Sequence, residues 1–412
     1  MAPGQYPRAS PLDYLRLLIG TASAGLASLA MIEARSWPMV VLTLGVSEWG
    51  HVLAALALTP LLPGWRRTRV GRVGAAFGLL GAAFALVSLL RAARLARQLP
   101  ELVAAAFGAA RPRAAPHAPA RPMPLVARDL LLGVPSPRVR HRRIPYATNA
   151  GQALDLDLHR SAVPATPAPC IVVIHGGSWA NGDSTQLPGL NSYLAARGYA
   201  VAAINYRLAP THRFPAARDD VLTAIEYLKN HAQELGIDPR RFVLLGRSAG
   251  AQLALLVAYT ANDPAIRGVV DFYGPADLVY GYEHPARKRV LDSVGVIERF
   301  LGGSPTSAPE TYAAASPIDQ IGPDCPPTLL IHGGRDTLVA PIQSDRLAGR
   351  LAQARIQHML LHLPWAEHGC DVNFSGPSGQ ISTYAIERFL AAVMTNDERR
   401  TTNDGRRTTN DE

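Results

Sequence analysis

The chain has 412 residues, 48% of them hydrophobic, and a mean hydropathy of +0.05, which excludes a disordered chain or a mini-protein and leaves room for one α/β domain plus a further region. Its net charge of +9 is unevenly spread: residues 1–140 hold 16 of the 41 basic and 5 of the 32 acidic residues, so the excess of arginine flanks apolar segments rather than a globular surface, which argues for a membrane region and against nucleic-acid binding. Cys170, Cys325 and Cys370 make no disulfide framework, and no Cys/His cluster has metal-ligand spacing, so neither a metal nor another cofactor is expected.

Three spans are predicted within a membrane region over residues 1–110. Residues 17–32 and 73–90 are uncharged and rich in the Gly, Ala and Ser that let membrane helices approach closely. Between them, 39–62 is bounded by Pro38 and Pro63 and contains Glu48 and His51, whose spacing puts them on one helical face as a pair turned to the bundle interior. Arg8 and Arg16 before an apolar core resemble a signal peptide, but Asp13 and the two later spans argue against cleavage. With the N-terminus inside, arginines 8, 16, 66, 67, 69 and 72 lie on the cytoplasmic side against 35, 91, 94 and 97 outside, which places the rest of the chain outside the cytoplasm.

Residues 111–140 are Pro-, Ala- and Arg-rich and read as an extended linker. From 141 to 395, β-rich runs at Ile171–Ile174, Ala200–Ile204, Phe242–Leu245, Val269–Phe272, Thr328–Ile331 and Met359–Leu363 alternate with helical patterns. One of these, Ala216–Leu235, carries the stripe Val221, Ala224, Ile225, Leu228 and Ala232. The alternation predicts an α/β fold, a doubly wound and mostly parallel sheet with helices on both faces, with Ala153–Leu158 as an antiparallel edge strand. Residues 276–318 break the rhythm and read as a cap over a pocket, while 396–412, a polar seven-residue repeat, reads as a disordered tail.

Two motifs carry chemistry. Gly246-Arg247-Ser248-Ala249-Gly250 follows an apolar strand and precedes a helix, the context in which a serine is held exposed on a turn too sharp for flanking side chains. His175-Gly176-Gly177-Ser178-Trp179 also follows a strand, so its backbone N–H groups and that of Ala249 can form an oxyanion hole. A serine hydroxyl needs a base, and the base an orienting carboxylate. His368, in the loop after the last strand, is the base; Asp336, just past the Thr328 strand, is the acid. Glu367 and Asp371 are too close to His368 in the chain to arrive from a separate strand and read as solvent-facing.

With these residues in hand, 141–395 resembles the α/β-hydrolase fold, and more closely the hormone-sensitive-lipase-like and feruloyl-esterase-like carboxylesterases. Asn205-Tyr206-Arg207-Leu208-Ala209-Pro210, Phe214-Pro215-Ala216-Ala217, Asp219-Asp220 and Gly236-Ile237-Asp238-Pro239 are similar to stretches of that family. The resemblance implies Ser248, Asp336 and His368 as triad and Gly176, Gly177, Ser178 and Ala249 around the oxyanion hole. It gives Arg207 with Asp219 and Asp220 a supporting ion pair. The implied activity is hydrolysis of a small-molecule carboxylic ester, lipophilic given the membrane region, through an acyl-enzyme and without a cofactor. Amide or formamide hydrolysis, prenylcysteine methyl ester hydrolysis and an inactive membrane-bound binding module are the competing readings. Two departures bear on substrate: Ser178 replaces the third glycine of the lipase-type motif, and Arg247 replaces the frequent acidic residue before the nucleophile.

Overall fold

The structure is a computed structural model that describes residues 7–115, 118–135, 138–162 and 167–394, so the predicted tail over 396–412 lies outside the described residues. The N-terminal part holds α1 (Pro11–Ser28), α2 (Trp37–Glu48), α3 (Gly50–Ala57) and α4 (Arg69–Phe107). A capping box opens α1: the Ser10 hydroxyl accepts from the Asp13 N–H at 3.3 Å, and the Asp13 carboxylate accepts the Ser10 N–H at 3.0 Å. Small residues then let α1 lie against α4, so closely that a Cβ on Gly20 would come within 2.2 Å of the Gly74 carbonyl oxygen. Arg16 reaches the carbonyl of Pro63 at 2.8 Å, which ties the start of α1 to the loop before α4.

The rest builds one eight-stranded sheet. After α5 (Ala127–Leu132) come β1 (Val139–Asn149), β2 (Gln152–Ser161), β3 (Ala168–Ile174), α6 (Pro188–Ala196), β4 (Ala200–Ile204), α7 (Ala216–Asn230), α8 (Ala232–Leu235) and β5 (Ile237–Arg247). Then follow α9 (Ala249–Thr260), β6 (Ile266–Phe272), α10 (Leu278–Glu283), α11 (Ser293–Leu301), α12 (Pro309–Ala315), β7 (Thr328–Gly333), α13 (Ile342–Gln353), β8 (His358–Leu363) and α14 (Pro377–Val393). The strand order is β1-β2-β4-β3-β5-β6-β7-β8, with β1, β2 and β4 paired antiparallel and the remaining pairs parallel. Every residue of β3 and β4 is buried, as expected of parallel strands covered on both faces. The cap predicted over 276–318 is the helical excursion α10–α12.

Several elements differ from expectation. Ala153–Leu158 is part of β2, but β1 lies outside it and forms the edge; its run VRHRRIPYATN is too polar to show a strand period. The helix expected over Ala216–Leu235 breaks at His231, whose ring Nδ1 approaches the Tyr227 carbonyl at 2.9 Å; the predicted stripe is buried on both sides of the break. The 39–62 segment is not one straight helix: α2 and the helical run Gly50–Leu61 meet at 81°. The bend parts Glu48 from His51. Glu48 leaves the bundle and accepts hydrogen bonds from Ser378 of α14, at 2.6 Å from its hydroxyl and 3.2 Å from its N–H.

The boundary expected between a membrane region and a linker also moves. Helix α4 runs 39 residues, about 58 Å at ~1.5 Å per residue. Its second half packs Ala92, Leu99, Val103 and Phe107 into the same apolar layer as Ile171, Val173 and Phe389, on one face of the sheet. Nor are the described residues of 111–140 a free linker. Buried Arg121 donates its N–H to Glu387 and a side-chain N–H to Gln380 of α14, and β1 already begins at Val139. Pro-rich composition signals an extended backbone, but an extended backbone can also be docked.

Candidate active site

The sheet's C-terminal edge gathers the residues singled out from sequence. Ser248 follows β5 with φ 53° and ψ −122°, a conformation sustained because the surrounding turn permits no other. A Cβ on Gly250 would sit 2.3 Å from the carbonyl oxygens of both Ile174 and His175, so β3 and α9 close on each other only around a glycine. His368, from the loop after β8, brings Nε2 to 3.0 Å from the Ser248 hydroxyl and Nδ1 to 2.6 Å from an Asp336 carboxylate oxygen. The other Asp336 oxygen accepts the N–H groups of Leu338 and Val339, each at 2.9 Å, which fixes the carboxylate's orientation. Burial alone would raise the Asp336 carboxyl; the charges and hydrogen bonds of His368 and His332 outweigh it and hold it well below the usual carboxylate range.

Ala249 is the first residue of α9, where an N–H has no intrahelical partner. Gly177 and Ser178, at φ 125° and 56°, line the same cavity as Ser248, and their N–H groups make no hydrogen bond among the described residues. Gly176 is different. Its N–H donates to the Gln186 side chain at 2.9 Å, so of the four backbone positions assigned to the oxyanion hole it braces the loop and offers no free donor. Sequence reasoning missed Gln186, ten residues on in a loop with no motif. It also missed Gln252, which accepts the Trp179 indole N–H at 2.9 Å and so ties the oxyanion loop to α9.

Arg207 and Asp220 form the supporting ion pair, with Asp220 fully buried and its oxygens 2.8–3.0 Å from the Arg207 side chain and N–H. Asp219 instead pairs with Arg218 at the surface. Arg247 is buried against Asp371, which also accepts the Tyr273 hydroxyl, and the Tyr273 ring lies 4.5 Å from that of His368. Asp371 therefore does not face solvent, contrary to expectation. It is the counter-charge that lets a buried arginine precede the nucleophile.

Glu367 is buried as well, at 2% exposure. One of its oxygens accepts the N–H of Thr337 at 2.7 Å and that of His368 at 3.2 Å, so the carboxylate is committed to backbone and not to the imidazole. Burial, reinforced by the charge of Asp336, pushes its carboxyl up to about 7. Unfolded, it would ionise near 4.5, so the folded protein holds a proton that the unfolded chain releases. Its contribution to stability is full below that pH and falls by at most ~1.4 kcal/mol per pH unit as pH rises to about 7. Glu367→Gln keeps an acceptor for the same donors and removes the titration. The thermal stability of the parent relative to the variant is thus expected to fall from about pH 4.5 to 7; parallel curves for the two proteins would mean that burial does not raise the Glu367 carboxyl.

Ser248 and His368 open into a cavity of about 830 Å³, within the ~300–1,000 Å³ of small-molecule sites. Helices α10 and α11 contribute Tyr280, Val296 and Ile297 to its wall.

Strand order, nucleophile turn and serine–histidine–aspartate relay define an α/β-hydrolase. Residues 156–351 match the family described as BD-FAE. Over 271 residues the chain is 34% identical to "Esterase LipC" of Mycobacterium tuberculosis, covering 62% of this chain and 66% of LipC. Over 255 residues it is 33% identical to "Probable carboxylic ester hydrolase LipM" of the same organism, covering 58% and 56%. The chain thus spans about two thirds of the first relative's length and just over half of the second's. Among solved structures, "Bacterial Heroin Esterase" superposes with a TM-score of 0.56 at 24% identity over 65% of this chain and 88% of that one. Esterase LipW from Mycobacterium marinum does so with 0.52 at 24% identity over 76% and 91%, and both likenesses speak for the fold. The hydrolase part of the chain is similar in sequence to these esterases and has the α/β-hydrolase fold.

Proposed function

We propose that the protein is a membrane-seated serine esterase that cleaves carboxylic esters through an acyl-enzyme on Ser248. The observation that carries this reading is the continuous relay Ser248–His368–Asp336 beside three N–H groups, of Gly177, Ser178 and Ala249, that are unengaged among the described residues. Ser248 Oγ attacks the ester carbonyl while His368 Nε2 takes its proton, and Asp336 holds the imidazole in the required tautomer. The tetrahedral oxyanion forms against the N–H groups of Gly177, Ser178 and Ala249, each such donor contributing about 3 kcal/mol to the transition state. Collapse expels the alcohol with the proton from His368, and water repeats the cycle on the acyl-enzyme.

The N-terminal part supports the membrane seat. Pro11–Met31 and Arg69–Phe107 are long and apolar enough to cross, while Gly50–Leu61 is bent 81° from α2. Arginine-free residues 73–90 of α4 extend about 27 Å, close to the ~30 Å hydrocarbon core, with Arg72 before and Arg91 after. Such a bundle carries the hydrolase at the end opposite the chain's start, because the start of α1 lies by the loop before α4 while the second half of α4 lies on the sheet. With the arginine distribution, this favours a hydrolase outside the cytoplasm acting on a lipophilic ester.

The test is a fluorophosphonate probe followed by matched ester and anilide substrates. Labelling confined to Ser248 and turnover of esters over anilides is expected. Absence of labelling would favour a binding module, and faster anilide turnover an amidase.

A further inference from the structure

Part of the cavity wall comes from neither the sheet nor its cap. The turn before α2 and α2 itself contribute Ala34, Trp37, Val40, Val41 and Leu44 to the same cavity that holds Ser248 and His368. The segment comes within reach of the base: a Cβ on Gly369, the residue after His368, would lie 4.0 Å from the end of the Leu44 side chain, at van der Waals distance. Ala34 and Val40 are buried with Val290 of the cap, against Leu338, two residues past Asp336. Three polar ties hold the segment there. The Trp37 N–H donates to the Arg289 carbonyl at 3.0 Å, Arg335, beside Asp336, donates to the carbonyls of Ala30 and Ile32 after α1, and Glu48 at the far end of α2 is bound by Ser378.

The cavity's mouth has a telling composition. Trp37, Val41 and Val372 line it and are yet 52%, 51% and 41% exposed, facing the exposed Glu33–Arg287 ion pair and His284 in the same lining, and Met31 and Ile32 in the turn after α1 are exposed too. Large apolar side chains around an opening are costly in water and favourable against lipid. Helix α2 is also joined at Trp49 to α3, which packs within the bundle on α1 and α4, so the mouth lies where bundle and hydrolase meet.

We infer that the cavity opens to the bilayer and that α2 is the wall along which the hydrocarbon chain of a membrane-resident, long-chain ester lies, with Val41 and Leu44 setting chain-length preference. This rests on the esterase reading above and deepens it by naming the substrate class. Apolar chains gain by burying methylenes against Val40, Val41 and Leu44, and each methylene that a pocket accepts or refuses is worth roughly 10- to 200-fold in discrimination.

The test uses the full chain reconstituted in phosphatidylcholine vesicles. One arm compares p-nitrophenyl butyrate with p-nitrophenyl laurate; the other compares butyl acetate with dodecyl acetate, so that an acyl chain is distinguished from an alcohol chain. The parent is expected to favour the long ester in one arm. Val41→Trp and Leu44→Trp should lower the long-to-short ratio of kcat/KM in that arm by at least tenfold, while Leu42→Trp, exposed on the same helix and outside the cavity, leaves the ratio unchanged. Fluorophosphonate labelling of Ser248 reports that each variant is folded; if a tryptophan variant takes no probe, Val41→Thr, near-isosteric but polar, should lower the ratio severalfold. A ratio unmoved by these variants, or moved equally by Leu42→Trp, overturns the assignment. So does a parent that cleaves only the short esters, which would leave the esterase reading intact. A parent that takes no probe and cleaves no ester overturns both.

Discussion

Ser248→Ala is expected to lower kcat for a short p-nitrophenyl ester by about 10⁶-fold, the loss typical of removing a serine nucleophile from an intact relay. The hydroxyl's hydrogen-bond partner is His368, and the backbone turn is imposed by Gly246, Gly250 and the strands around them, so alanine leaves the fold in place. Residual turnover comes from the N–H groups of Gly177, Ser178 and Ala249, which still polarise a bound carbonyl. Steady-state kinetics with circular dichroism as the control for folding checks this. A variant within tenfold of the parent would mean that acyl transfer does not pass through Ser248.

Asp336→Asn should cost about 10⁴-fold in kcat. The reason is in the carboxylate's two sides. One oxygen accepts the N–H groups of Leu338 and Val339, and an asparagine oxygen keeps both bonds, which turns its NH₂ toward His368 Nδ1. Two donors then face each other, the imidazole shifts its proton to Nε2, and the base opposite Ser248 is lost. The measurement is kcat for the same ester in the parent and variant. A fall of less than tenfold would mean that another carboxylate orients the histidine; Glu367 and Asp371 are poor candidates, being engaged with backbone N–H groups and with Arg247.

Much of this was legible in local pattern. The nucleophile turn announces itself because its geometry tolerates only glycine at Gly246 and Gly250, and steric rules of that kind are written in residue identity. Five of the six predicted strands lie inside the sheet and showed as apolar runs because both faces of a parallel sheet are buried; the sixth, β8, is an edge strand buried at every second residue. What escaped were interactions whose partners are far apart in the chain. Gln186 engages the Gly176 N–H that was expected to be a free donor, and neither residue hints at the other. Asp371 and Glu367 look like surface acids beside a histidine until Arg247 and Thr337 are brought against them. Glu367 carried one usable signal, its position directly before His368 in the loop that must reach the site.

The apolar N-terminal segments divide in the same way. Their apolar length is a property of composition, so 17–32 and 73–90 could be read directly as parts of long apolar helices, which the structure has at Pro11–Met31 and Arg69–Phe107. Whether Glu48 faces His51 or Ser378, and whether α2 stays in the bundle or walls the cavity, depends on an 81° bend and on a hydrolase surface built from residues more than 200 positions away. Serine, histidine and aspartate could be named from local sequence, since each sits after a strand where the chain must turn. The shape of the space they act in was decided by packing, because a cavity belongs to no segment and exists only where distant ones meet.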